Sequence, residues 1–427
     1  MTAPSSVMAL AQGFVECFTQ PGFQHFVHFL LAHATLMDSP HCVSETLRAT
    51  RRHAVVHWTT PYAFMNRGRW SCAGVSRALL ALLLRTLGIT AEAPLIVAID
   101  DTLCKKWGRN IFGLGYYPDP TDKNPGASRH RVRALCWVVA ALVWERAAGQ
   151  WMCFPLGALL FVPLAACPPG WVFRTKIELA VWLLERLGLL ELAVILLVDN
   201  LYAKGPLARL VGVTLVSRLR SNAALYEPPP PRKPGQRGRP RKRGAKCSAR
   251  GLWRRKSGRR DLTVRIYGKL LTITAWVGVM IPSRTLGEAA ILVVIFPQRG
   301  GKKMNVFFTT DLTMAAERVL ELYGARFKIE AVFKELKTHG GMGDCRQRSF
   351  AAGKRHVTLC LVAYSLLRAL SVTLRGGEAI EAEPWWHPSG PPSVKRLSRW
   401  LNKSLGISCS SQSGKHIAKN LALREAA

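Results

Sequence analysis

Leu95–Ile96–Val97–Ala98–Ile99–Asp100–Asp101 and Ala193–Val194–Ile195–Leu196–Leu197–Val198–Asp199 are two short apolar runs, rich in branched residues, and each ends in acid. Periodicity does not separate such a run from a buried helix, but its length and its branched side chains argue for a buried strand. Leu135–Trp144 and Trp151–Val162 read as further strands, and Gly212–Leu219 as a fifth. Thr175–Leu187 is amphipathic, with Gly188 as its stop, and reads as a helix; Tyr202–Leu210 reads as a short one. This alternation predicts a mixed α/β sheet. Ligands of open α/β sheets bind beyond the carboxyl ends of strands, which makes Asp100 or Asp101, together with Asp199, candidate metal-binding carboxylates. Asp is also common at such turns for its local hydrogen bonds, so the plain structural reading stays open.

The acids stand out because they are scarce. Of 427 residues, 60 are Lys or Arg and 26 are Asp or Glu, a net charge of +34. Hydrophobic residues make up 49%, which excludes a disordered basic tail and, with the rest of the composition, collagen-like, coiled-coil and disulfide-scaffold classes. The length suggests several domains. So large a positive charge points to a polyanionic partner, nucleic acid before an anionic membrane. The eleven cysteines are scattered with no CxxC pair, so neither a zinc ribbon nor a disulfide framework is expected, and a reducing cytoplasm is. Residues 1–40 lack the pattern of a signal peptide. The uncharged run Trp151–Phe173 is long enough to span a bilayer, but Pro155, Gly157, Pro163, Pro168 and Pro169 suit short strands better.

Beyond Leu219 the composition breaks. Pro228–Pro231 is a proline run, and Arg232–Arg260 holds fourteen Lys or Arg and no acid. Such a segment buries no core and reads as a basic arm. Strand patterns return at Leu262–Tyr267, Leu270–Met280, Ala290–Phe296 and Val306–Asp311. Met314–His339 reads as one long helix and Arg355–Leu374 as another. Before Pro94 the chain reads as helical, Ser71–Leu87 most clearly. His25, His28 and His33 fall at near-helical spacing, but no nearby carboxylate or Cys completes a metal set.

Two carboxylates on a sheet edge suggest hard divalent ions, and two-metal phosphodiester chemistry asks for a third acid. The long helix offers Glu317, Glu321, Glu330 and Glu335. At ~100° per residue, Tyr323, Arg326, Glu330 and Lys337 fall within about 60° of one another, and Glu335 lies well round from them. A carboxylate among cations suits a nuclease site. It equally suits a surface helix with intrahelical ion pairs such as Glu330 with Arg326.

Tyr323-x2-Arg326-x3-Glu330-x6-Lys337 resembles, spacing for spacing, the signature helix of the DDE transposases of bacterial insertion sequences. Asp100–Asp101–Thr102, continued by Lys106, Gly108 and Phe112–Gly113-x-Gly115, resembles that family's first acid motif. Asp199-x-x-Tyr202 resembles the second. The resemblance covers roughly residues 91–375. It implies an RNase H-like α/β fold whose mixed sheet is interrupted by a β-rich insertion and preceded by a helical N-terminal domain. The expected divisions are a helical DNA-binding domain at 1–90, the two parts of the catalytic domain at 91–220 and 306–375, the insertion with its basic arm at 221–305, and a linker and basic tail at 376–427.

By the same resemblance Asp101, Asp199 and Glu330 would be the catalytic acids and hold two Mg²⁺ ions, with Mn²⁺ able to substitute. Asp101 is preferred to Asp100 because the family's acid directly precedes the Thr, and strand alternation lets only one of the two face the site. Tyr323, Arg326 and Lys337 would contact DNA. Arg237–Gly238–Arg239–Pro240–Arg241 is similar to an AT-hook core, thin enough to lie in a minor groove, and Trp253 could stack on an unpaired base. The expected activity is cleavage at insertion-sequence ends and joining of the freed 3′-OH to target DNA. The expected partners are double-stranded DNA, both ends and target, and a second copy in a homodimer or larger complex, with no membrane and with a location on the bacterial nucleoid. Two alternatives remain: an RNase H-like nuclease or resolvase without strand transfer, and a domesticated DNA-binding protein without activity.

Overall fold

The structure is a computed structural model that describes residues 9–36, 39–90, 92–108, 110–119, 130–231, 238–266, 268–282, 286–287, 289–301, 303–373 and 392–405. The backbone divides into an α/β unit, Ile89–Arg109 with Gly113–Lys334, and a helical unit, Met1–Gly88 with Asn110–Phe112 and Glu335–Ala427.

The described strands of the α/β unit are β1 (Leu95–Lys105), β2 (Gly115–Pro118), β3 (Arg131–Ala147), β4 (Gln150–Phe161), β5 (Val194–Val198), β6 (Val213–Leu219), β7 (Leu225–Tyr226), β8 (Lys246–Cys247), β9 (Arg259–Ile266), β10 (Lys269–Pro282), β11 (Ile291–Pro297) and β12 (Met304–Thr309). They form one mixed sheet in the order β2-β3-β1-β5-β6-β12-β11-β10-β7-β8, with β4 also on β3 and β9 also on β10. β3 is antiparallel to β1 and β4, whereas β5 runs parallel to both β1 and β6. This is the RNase H-like α/β architecture. The uncharged run at Trp151 is explained by β4, a strand buried along most of its length.

Two helices cover the sheet near its centre. Lys176–Arg186 packs on β3 and β4, and Ala316–Arg326 packs on β5, β6, β9 and β12. The first begins with a capping box in which the Thr175 hydroxyl accepts from the Glu178 N–H and Glu178 accepts from the Thr175 N–H, satisfying two otherwise unpaired donors. The second seats Ala316 and Leu320 against Leu262, Val264, Ala275 and Val294. The long helix expected over Met314–His339 is two helices, Ala316–Arg326 and Lys328–Thr338, separated at Phe327. There the Phe327 N–H turns back to Gly324 and the Glu330 N–H to Phe327, a tighter turn than the α-helical one.

The helical unit contains Gln20–Thr35, Val43–Ala49, Thr59–Arg67, Cys72–Leu87, Phe350–Thr373 and Val394–Leu405. Ser71 caps Cys72–Leu87, and Gly88 ends it at φ 64°, the left-handed conformation in which glycine costs least. Phe350–Thr373 is long and apolar enough to cross a membrane, but 78% of its most apolar window is buried inside the protein. It packs on Gln20–Thr35, Thr59–Arg67, Cys72–Leu87 and Val394–Leu405.

The expected divisions are corrected in three places. Phe350–Thr373 was assigned to the catalytic part at 306–375, yet a helix apolar on every side needs neighbours on every side, and it has them in the helical unit. Strands from 221–305 extend the central sheet through β12 rather than standing apart from it. Within the expected tail at 376–427, Val394–Leu405 is a helix packed in the helical unit; residues 374–391 and 406–427 lie outside the described residues.

Candidate active site

The last paired residues of β1 and β5 are Ile99 and Val198. One step further along both parallel strands brings Asp100 level with Asp199, and level residues on neighbouring strands share a face. Asp101 therefore faces the other way. Its carboxylate accepts from Lys176 Nζ at 2.6 Å, from the Tyr202 hydroxyl at 3.0 Å and from the Cys136 thiol at 3.5 Å. Burial pushes the Cys136 thiol up to about 12, with the Asp101 charge adding to it, so this sulfur keeps its proton and can donate. Tyr202 is fully buried, and its hydroxyl is likewise held well above its ordinary range by burial and by Asp101.

Asp100 meets the other helix. Arg326 donates to Asp100 Oδ2 at 3.0 Å through one terminal nitrogen and to Glu330 Oε1 at 2.8 Å through the other. The guanidinium lies over the Phe327 ring at 4.4 Å, and Arg326 is 4% exposed. Its Nε finds no hydrogen-bond partner among the described residues. Asp199 is fixed by its own turn: its carboxylate accepts from the Leu201 and Tyr202 N–H groups at 2.8 and 3.3 Å. Glu330 stands in the first turn of Lys328–Thr338 with half of its side chain in solvent.

Burial pushes the Asp100 carboxyl up to about 7; Arg326 and the Asp101 N–H oppose the rise, and the Asp199 and Asp101 charges add to it. The Arg326 charge beside the group offsets only part of its burial. Asp100, Asp199 and Glu330 offer carboxylate oxygens alone, the donors a hard divalent ion takes, and Arg326 already brings a cation between two of them. The residues present therefore fit a divalent metal.

Asp101, the expected acid, lies on the side of Lys176 and Tyr202, and its neighbour Asp100 lies on the face of Arg326 and Glu330. Tyr323 and Arg326, expected to contact DNA, are both buried. Tyr323 packs on Phe307 at 4.8 Å between ring centroids. Lys337 is exposed. Glu335, the other candidate acid, accepts from the Tyr364 hydroxyl and pairs with Arg368 at 3.5 Å within the helical unit. Arg239 and Arg241 are exposed, and Arg237 lies outside the described residues. Trp253 is half-buried, with the Arg259 guanidinium 4.4 Å over its ring. The residue that sequence reasoning missed is Lys176. Its one signal was the Thr175-x-x-Glu178 box, which sets it at the start of a helix.

Carboxylates gathered where the parallel pairing of β1 and β5 ends, with an acid-bearing helix opposite, suit a metal-dependent nuclease. Residues 13–268 match the family model of the DDE superfamily endonucleases, and residues 176–366 match that of the transposase DDE domain. The chain belongs to the DDE superfamily of endonucleases and is a DDE transposase. The family consists of divalent-metal-dependent nucleases that act on DNA. No curated protein matches the chain.

Proposed function

We propose that this transposase cleaves a phosphodiester at each end of an insertion sequence and joins the freed 3′-OH to target DNA, with Asp100, Asp199 and Glu330 as its acids. The observation that carries the reading is that Asp100 and Asp199 each follow the last β1–β5 pair, Ile99 with Val198, together with the Arg326 link from Asp100 to Glu330. The three carboxylates would hold two Mg²⁺ ions, with Mn²⁺ able to substitute, and these would activate water and stabilise the leaving oxygen. Arg326 keeps two of the acids in register and balances their charge. Asp101, tied to Lys176 and Tyr202, anchors β1 to the opposite helix layer and takes no part in the chemistry. Water attacks the phosphodiester at the element end and expels the 3′-oxygen, which leaves as a hydroxyl. That hydroxyl attacks a target phosphodiester in turn, so one P–O bond breaks as another forms and no protein–DNA bond is needed. Exposed Arg239 and Arg241 suit contact with DNA phosphates, and a homodimer or larger complex would hold two ends together.

The test uses DNA carrying the element's own ends, Mg²⁺ or Mn²⁺, and wild type beside Asp100→Asn and Glu330→Gln. Cut 3′-OH ends and joined products from wild type, with binding but no cutting by the variants, are expected. Cutting without joining would favour a nuclease or resolvase. Binding without cutting by all three proteins would leave a DNA-binding protein only.

A further inference from the structure

The helical unit gathers a second set of metal-ligating groups that the DNA chemistry does not use. A ring nitrogen of His33, one of His356 and the Cys360 sulfur all lie within 4.8 Å of one another, and all three residues are buried. A fourth group, His41, has its ring centroid 5.3 Å from that of His33, tilted by 58°, and is 2% exposed.

Two of the three imidazoles, those of His33 and His41, are oriented as ligands are, whereas His356 Nε2, the nitrogen facing Cys360, would give up the Gly341 carbonyl to bind a metal. His33 Nδ1 is bound to the Phe29 carbonyl at 2.8 Å, which leaves Nε2 as the bare nitrogen. His41 Nδ1 lies 3.4 Å from Asp344 Oδ2, and the same oxygen accepts from the His41 N–H at 2.9 Å. A carbonyl or carboxylate on the far nitrogen is how metal-binding histidines are commonly held. Both Nε2 atoms are buried and find no hydrogen-bond partner among the described residues. A buried acceptor left unmade in this way costs about 1–3 kcal/mol, and here two occur in adjacent rings. His356 Nε2 lies 2.8 Å from the Gly341 carbonyl and 3.6 Å from Cys360 Sγ. Gly341, at φ 67°, has its Cα against the His41 ring, where a Cβ would overlap it.

We propose that His33, His41, His356 and Cys360 form a structural zinc site, with Asp344 as the outer partner of His41. Three imidazoles and one thiolate are a zinc set, since soft sulfur and borderline nitrogen select against Mg²⁺. Ligands about 2.0–2.3 Å from a tetrahedral ion stand roughly 3.3–3.8 Å apart. For His33, His356 and Cys360, closure from the present spacing therefore needs side-chain shifts on the order of 1 Å, and His41, which stands outside that group, must swing in to complete it. Four protein ligands leave no open position, which makes the site structural. It would join Gln20–Thr35 to Phe350–Thr373, segments far apart in sequence, and binding there adds directly to folding stability.

The test is cobalt substitution. The full chain is stripped with chelator, loaded with Co²⁺ alone and read by absorbance, then back-titrated with Zn²⁺. The expected spectrum has a thiolate-to-cobalt charge-transfer band and the strong visible bands of a tetrahedral ion, both abolished by Zn²⁺. Cys360→Ser should lose the charge-transfer band, and His33→Asn should weaken cobalt binding at least tenfold. Asp100→Asn should leave the spectrum unchanged, which separates this site from the acid centre. Absence of the charge-transfer band in wild type, or its persistence in Cys360→Ser, would overturn the proposal. The wild-type spectrum decides even where a variant fails to fold.

Discussion

Asp100 and Asp101 are adjacent in β1 yet answer to different cations on opposite faces of the sheet: Arg326 at 3.0 Å from the first and Lys176 at 2.6 Å from the second. Two neighbouring carboxylates thus have separable jobs, and substitution should separate them. Asp100→Asn removes a carboxylate that burial already disfavours but leaves buried Arg326 with Glu330 alone as its counter-ion, so stability should fall by about 1–3 kcal/mol while cleavage falls by on the order of 10²-fold or more. Asp101→Asn leaves Lys176 without its counter-ion, which should cost about 1–3 kcal/mol with cleavage retained. Urea midpoints and cleavage rates on the same two proteins check both halves.

Arg326 is a clamp that a divalent ion should partly replace. Arg326→Gln leaves Asp100 and Glu330 facing each other without a cation. Added Mg²⁺ or Mn²⁺ should therefore raise the melting temperature of the variant more than that of wild type. Equal shifts in the two proteins would refute the charge-balancing role.

Glu335 is engaged by Tyr364 and Arg368 within the helical unit. Glu335→Gln should cost about 1–2 kcal/mol through weakened hydrogen bonds and leave the cleavage rate per folded molecule within a factor of about two.

The Lys176 helix depends on its first turn. Thr175→Ala should cost about 1 kcal/mol at neutral pH. Hydrogen bonds from the Thr175 N–H and hydroxyl hold the Glu178 carboxyl below its ordinary 4.5. Its contribution is present above that value and is lost as pH falls through the lower folded one. The stability gap between wild type and Glu178→Gln should therefore be open at neutral pH and closed in strong acid, as chemical denaturation at both would show.

Arg239 and Arg241 are exposed on the described part of the arm. If they neutralise phosphates, replacing each with Gln should lower the slope of log K against log salt by about 1. Cleavage at saturating DNA should be unchanged. A filter-binding series across salt concentrations measures the slope.

The two acid-bearing strands were legible because a buried strand is written as a short branched run; Asp199 duly follows β5, whereas β1 runs on past Asp101 to Lys105 because β3 pairs with it there. Which of Asp100 and Asp101 faces the helix was not legible, because a strand's own residues do not say which neighbour it pairs with or in what register; Val198 opposite Ile99 decides that. The break at Phe327 left no mark either. No Pro or Gly stands there, and every residue from Ala325 to Ile329 is compatible with a continuous helix. The histidine and cysteine cluster was hidden by distance. His33 was read against its helical neighbours, and its partners come from the other end of the chain.

The level pairing of β1 with β5 also makes the acid centre a matter of counting. A deletion of one residue ahead of Asp100 would turn β1 over, carrying Asp101 into the place of Asp100 and Thr102 into the place that meets Lys176. Paired acids in tandem thus give the strand a spare: an error of one residue in alignment would still present a carboxylate to the Glu330 helix, at the cost of the Lys176 ion pair.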